Sequence, residues 1–152
     1  MVPWRMLWLL GKLGGRMHVI PQQAVLAENA YADADRILDL GGGGEGVIGQ
    51  LRGPQVTAVD IQQGELDDAP DGPVKVVADA RTLPFAERSF DAATAFFFLM
   101  YVAAEDRSTV LREAYRVLRP GGTLRIWDVA IPPQGTRRER LFVVPVKVKL
   151  PR

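Results

Sequence analysis

The chain reads as short, nearly continuous apolar runs separated by helix-like or turn-rich connections. "RILDL" (36–40), "QVTAVD" (55–60), "VKVVAD" (74–79), "FDAATAFFF" (90–98) and "TLRIWDV" (123–129) are the strand candidates. A brief helix follows the first run as far as Leu51, and Gly53-Pro54 stops it. "STVLREAYRVL" (108–118) places Val110, Leu111, Ala114, Tyr115, Val117 and Leu118 at helical spacing, and Arg119-Pro120-Gly121-Gly122 ends it. Upstream, "PQQAVLAENAYADA" (21–34) has Pro21 near its start and good helix formers after it, which predicts a helix. Downstream, "LFVVPVKVKL" (141–150) predicts a sixth strand. Strands apolar on both faces and alternating with helices imply a mostly parallel sheet covered on both sides. Right-handed crossovers then give an α/β, doubly wound sandwich with ligands at the carboxyl ends of the strands.

With 152 residues, the chain suits one domain of ordinary size, and 47% hydrophobic with 24% charged residues is usual for a globular core. The expected division is an N-terminal helical segment, 1–34, packing on or covering a pocket, followed by a core over 35–152. Around Met6–Leu10 the apolar stretch is far shorter than a bilayer span requires, so no transmembrane segment is expected there. A short amphipathic helix is the reading. A membrane-surface helix is the sharper alternative, because Trp4 and Trp8 share a face beside Arg5 and Lys12.

Nineteen basic against 18 acidic residues leave a net charge of +1, which supplies no electrostatic argument for nucleic acid. Eight acids and three bases lie between Asp60 and Asp91, and six bases and one acid between Arg137 and Arg152; both are ordinary for solvated surface. The absence of cysteine excludes disulfides, thiolate nucleophiles and cysteine metal sites, and suits a cytoplasmic setting.

Five glycines in six residues, "GGGGEG" (41–46), close the first strand. Ordering them costs much backbone entropy, and their missing Cβ atoms permit tight turns and close approach of a ligand. The following helix would turn N–H groups to the same place. Gly41, Gly43 and Gly46 fit a dinucleotide fingerprint, with Asp60 nineteen residues beyond the first glycine. Asp39 argues otherwise: an acid at the strand end gains nothing from a pyrophosphate and suits a ligand carrying a cation.

"ILDLGGGGEG" resembles the first motif of the class I S-adenosylmethionine-dependent methyltransferases, and "VTAVD" resembles their second strand with its terminal acid. "VVADARTLPFAERSFDAATAFFFLMYV" and "LREAYRVLRPGGTLRIWDV" resemble the corresponding stretches of the small-molecule (type 11) branch. Together these cover roughly 36–130. The resemblance implies a Rossmann-like methyltransferase sandwich, S-adenosylmethionine as cofactor and a small-molecule methyl acceptor. It implies that Gly41 and Gly43 let the backbone approach the methionine and ribose parts, with Asp39 supporting the loop or the amino group. Asp60 would hold the ribose hydroxyls and Ile61 would pack on adenine. Asp79 and the Ala80 amide would meet the adenine edge, and Phe96 would line the methionine moiety.

Three departures stand out. The family's third alternating glycine falls on Glu45, with Gly46 one residue later. Where many relatives carry a histidine pair, this chain has "LMYV" (99–102); its one histidine, His18, reads as a surface or lid residue. About 22 residues follow Ala130, too few for the family's last helix and antiparallel strand, so a shortened sheet is expected. Its apolar edge would be protected by self-association, as a homodimer, or by the N-terminal segment. No general base or metal ligand set stands out, and a sulfonium methyl donor needs neither. Methyl transfer is the first expectation, a non-catalytic cofactor-binding module the second, and a dinucleotide oxidoreductase a distant third.

Overall fold

In the computed structural model, residues 34–128 are described with their side chains, together with the backbone of four strands at 16–19, 23–26, 139–143 and 146–149. The chain divides into two units, 29–130 and a second made of 1–28 with 131–152.

The larger unit contains a five-stranded sheet. Its strands are β3 (Ile37–Leu40), β4 (Val56–Asp60), β5 (Val74–Val77), β6 (Phe90–Phe96) and β7 (Leu118–Trp127). Their order is β5-β4-β3-β6-β7 and every pairing is parallel. All four residues of β3 are buried, as the central strand of a sheet covered on both faces should be. The helices are α1 (Val47–Arg52), α2 (Gln63–Asp68) and α3 (Arg107–Val117).

Alternation along the strands splits the core in two. Leu38, Leu40, Val59, Ala93 and Ala95 form one cluster with Val110, Ala114 and Val117 of α3. Ile37, Val56 and Ala92 form another with Ile48 of α1. Helices on opposite faces make the sheet doubly wound. The chain moves outward from β3 to β5 and then crosses back to β6, so the order reverses between β3 and β6. In open parallel sheets the ligand crevice lies at such a reversal, at the carboxyl ends of the strands.

Most predicted elements lie where the hydrophobic pattern puts them, but β7 differs in a telling way. It starts at Leu118, opposite Phe90, and its next partner pair is Ala92 with Thr123. Residues 119–122 therefore loop out of the ladder, with Gly121 at φ 81°. Arg119 is held there by Asp91, whose carboxylate accepts from its guanidinium at 2.8 Å.

In the smaller unit, β1 (Arg16–Val19) pairs in parallel with β8 (Glu139–Val143), and β2 (Gln23–Leu26) with β9 (Val146–Lys149). This corrects two expectations. Residues 23–26 are a strand within the segment predicted helical, because a ladder with β9 satisfies their backbone and tertiary pairing overrides propensity. The single strand expected over 141–150 is two strands on either side of Pro145, a residue with no N–H to give a ladder. These strands pair with N-terminal segments, outside the five-stranded sheet. The helix expected around Met6–Leu10 lies outside the described residues. His18 lies in β1, opposite Phe142. Among the described residues no helix is long and apolar enough to cross a membrane.

Candidate cofactor site

The glycine loop is bound to its surroundings by its own backbone. Gly41 and Gly42 both donate to the Val59 carbonyl, at 2.8 and 3.1 Å, and Gly44 donates to the Glu65 carbonyl at 2.8 Å. Gly41, Gly44 and Gly46 have φ of 70°, 60° and 51°, a region costly for residues with a Cβ. Much of the close approach comes from the protein. A Cβ on Gly41 would stand 2.5 Å from Cδ2 of Phe98, and one on Gly42 would stand 2.8 Å from the Ala58 Cβ. A Cβ on Gly43 would stand 2.5 Å from the Glu65 Cβ and 3.1 Å from Oδ2 of Asp60. The loop is thus wedged between the end of β6 and the start of α2, with the Asp60 carboxylate alongside.

Asp39 lies behind this loop. In the ladder it stands opposite Thr94 of β6 on one side and Ala58 of β4 on the other. It is 2% exposed, and its Oδ1 accepts from the Thr94 hydroxyl at 2.6 Å. Burial pushes its carboxyl up to about 7, against a smaller downward pull from the Thr94 hydrogen bond. Oδ2 of Asp39 lies 2.9 Å from where a Gly42 Cβ would be, so the carboxyl props the loop from inside the sheet.

At the end of β4, Asp60 turns the chain. Its Oδ1 accepts from the Gln62 N–H at 3.0 Å, and its carbonyl accepts from Ala78. Ile61, next in sequence, is 61% exposed. An acid able to take paired hydroxyls beside an exposed branched apolar side chain is a combination suited to a nucleoside.

Beyond β5, Asp79 is gripped by Arg81. Asp79 Oδ1 accepts from the Arg81 backbone N–H at 2.8 Å, and its two oxygens accept from Nε and Nη2 at 2.6 to 3.0 Å. These bonds hold the Asp79 carboxyl below the usual carboxylate range, the Arg81 side chain being the main cause. Ala80 is buried among the residues of the first core cluster.

Phe96 is half-buried and packs edge-on to Phe97, with ring centroids 4.8 Å apart, and near Trp127 at 5.7 Å. It belongs with the Ile48 side of the core, whereas Phe98 is the ring against Gly41. Phe97 takes φ 53°, and its N–H is held by the Trp127 carbonyl at 2.7 Å. A left-handed residue there ends the strand and redirects the chain toward the glycines.

The fold and the loop now agree with sequence comparison. A family model described as "Methyltransferase domain" matches residues 38–126, more than half of the chain. The chain belongs to the class I S-adenosylmethionine-dependent methyltransferases. S-adenosylmethionine is the cofactor of this family, and an acceptor carboxylate, Asp60, followed by the exposed apolar side chain of Ile61 is chemistry that suits its nucleoside. The methyltransferase domain is 41% identical over 103 residues to a demethylmenaquinone methyltransferase of Mycolicibacterium vanbaalenii, covering 65% of this chain and 44% of that protein. It is 36% identical over 111 residues to a 27-O-demethylrifamycin SV methyltransferase of Amycolatopsis mediterranei, covering 65% and 40%. Among solved structures, an S-adenosylmethionine-dependent methyltransferase of Methanosarcina mazei aligns with a TM-score of 0.55 at 29% identity, covering 60% of this chain and 51% of that one. The chain spans about half or less of the length of these curated relatives.

Four residues that surround the candidate positions were not singled out from the sequence: Thr94, Phe98, Glu65 and Arg81. Thr94 carried a signal, as a lone hydroxyl within the apolar run of β6. Phe98 was one ring among three. Glu65 and Arg81 resemble ordinary surface charges until the fold brings them to Gly43 and Asp79.

Proposed function

We propose that this chain binds S-adenosylmethionine across the carboxyl ends of β3, β4 and β5 and transfers its methyl group to a small-molecule acceptor. The observation that carries this reading is Asp60. It ends β4 beside the glycine loop, commits Oδ1 to Gln62, and is followed by the exposed Ile61. In this proposal Asp60 accepts from both ribose hydroxyls, and Ile61 covers one face of adenine. Asp79 and the Ala80 amide meet the adenine edge, while Gly41 and Gly43 present bare backbone to the ribose and methionine. Asp39 supports the loop from within, and Phe96 borders the methionine end. When bound, the cofactor supplies an electrophilic methyl on a sulfonium; the protein orients it and keeps the reacting pair dry. No side chain is assigned as general base. A cytoplasmic setting is supported by the absence of cysteine.

Calorimetric titration with S-adenosylhomocysteine tests the site. Micromolar binding is expected, weakened at least about tenfold by Asp60→Ala through loss of charged hydrogen bonds. A folded wild-type chain that fails to bind refutes the proposal. A second reading is a cofactor-binding module without turnover. It expects the same titration but no transfer of labelled methyl to any acceptor. The panel should begin with demethylmenaquinone and 27-O-demethylrifamycin SV, the compounds in two relatives' names.

A further inference from the structure

Four of the six N–H groups in the glycine loop, residues 41–46, are bonded to the protein itself. Gly41 and Gly42 donate to the Val59 carbonyl, Gly44 to the Glu65 carbonyl, and Gly46 to the Gly43 carbonyl at 3.2 Å. Loops that cradle phosphate work by turning such groups, unbonded, toward the anion. Here the chain's own carbonyls take that place. The glycines supply close approach without a matching set of donors.

What stands beside the loop is negative. A Cβ on Gly43 would lie 3.1 Å from Oδ2 of Asp60 and 2.5 Å from the Cβ of Glu65, and one on Gly44 would lie 3.2 Å from Oε2 of Glu65. Two carboxylates therefore flank two successive glycines. Among the described residues, no ion pair neutralises either of them. Asp60 already has a place in the ribose site, whereas Glu65 has none. Glu65 lies in the first turn of α2, and its backbone carbonyl accepts from both Gly44 and Ala69. Those backbone bonds fix where its side chain starts.

A nucleoside whose ribose hydroxyls lie on Asp60 brings its 5′ substituent to this loop. We infer that Glu65 is a specificity-determining residue of the cofactor site, forming with Asp60 a negative rim that favours a sulfonium at the 5′ position and disfavours a phosphate there. The inference rests on the nucleoside site proposed above and adds to it a residue that acts through charge. Glu65 is exposed, so water screens its field. One unit of charge about 4–5 Å away in water is worth roughly three- to tenfold in affinity.

The test titrates wild type and Glu65 variants with S-adenosylmethionine and S-adenosylhomocysteine by calorimetry at low salt, without acceptor. The two ligands differ only in the methyl group and the positive charge it places on sulfur. Displacement of S-adenosylhomocysteine by adenosine 5′-monophosphate supplies the anionic member. Glu65→Gln, which leaves the backbone bonds in place, should weaken S-adenosylmethionine by about three- to tenfold and leave S-adenosylhomocysteine within about twofold. The monophosphate should become a better competitor by a similar factor. Glu65→Lys should move the same ratios further in the same direction, and molar salt should shrink every change. Asp67→Asn removes an equal charge from another face of α2 and should leave the ratios as they are. Four results overturn the inference: Glu65→Gln shifting the two S-adenosyl ligands alike or not at all, no gain by the monophosphate, shifts that persist in molar salt, or Asp67→Asn reproducing them. A wild-type chain that binds neither S-adenosyl ligand instead refutes the underlying cofactor site, so the two failures are told apart.

Discussion

Replacing Asp39 with asparagine should make the fold more resistant to rising pH. The carboxyl is buried at the centre of the sheet, where its pKa moves from 3.8 to about 7, chiefly by desolvation. The folded state therefore keeps a proton that the unfolded chain releases above about pH 4. Stability falls as pH rises through this window and levels off once the folded carboxyl also ionises. Roughly three pH units at 1.36 kcal/mol each amount to about 4 kcal/mol between the ends of the window. Asp39→Asn keeps an oxygen for the Thr94 hydroxyl but cannot ionise, so that loss should disappear. Urea unfolding of both proteins, followed by circular dichroism at a series of pH values, gives the difference in their stabilities. Taking the difference cancels the contributions of the other carboxylates. From about pH 5 to about pH 8 it should move by about 3 kcal/mol against the wild type. Parallel pH curves for the two proteins would refute the reasoning, because they would mean that Asp39 titrates as it does in the unfolded chain.

Gly41→Ala meets both a φ of 70° and a ring atom of Phe98 at 2.5 Å, and should cost about 2–4 kcal/mol. Adding Phe98→Ala should relieve the clash but leave the backbone penalty, so thermal melts of the two single variants and the double variant should be non-additive. Arg116 holds the carbonyls of Leu83 and Phe85 and braces Glu113, whose Oε2 accepts from the Leu83 N–H at 2.9 Å. Arg116→Met should speed hydrogen exchange at the Leu83 amide by about tenfold, the equivalent of one weakened hydrogen bond. The Arg88 amide, bonded to the Arg116 carbonyl, should change little.

The inner strands were legible because β3, β4 and β6 are largely buried on both faces, which leaves near-continuous apolar runs. Val110, Ala114 and Val117 likewise announced α3 by their spacing. The segment 23–26 was not legible, since "QAVL" suits a helix as well as a strand and only pairing with β9 decides. Around the site, residue types were readable and surroundings were not. Asp39 was visible as an acid before glycines, but its burial follows from its place between β4 and β6, and its hydroxyl partner, Thr94, comes fifty-five residues later. The glycine run pointed to a close approach to the backbone. That Phe98, Ala58 and Glu65 themselves press on it depends on a crossover that no local pattern encodes.

The separation between Asp39 and Thr94 also sets an order of events during synthesis. Strands β3 and β4 can meet soon after Asp60 is made, but the other side of β3 stays open until β6 exists. Through that interval Asp39 has no hydroxyl to face, and an ionised carboxylate favours water over a half-built interior. The central strand is thus held back from premature burial by its own acid until the chain that completes the sheet has been made. Distant pairings of this kind are paid for in loop entropy and fold slowly. In a nascent chain, the carboxylate that burial later drives toward its protonated form would help keep the central strand from pairing with the wrong partner.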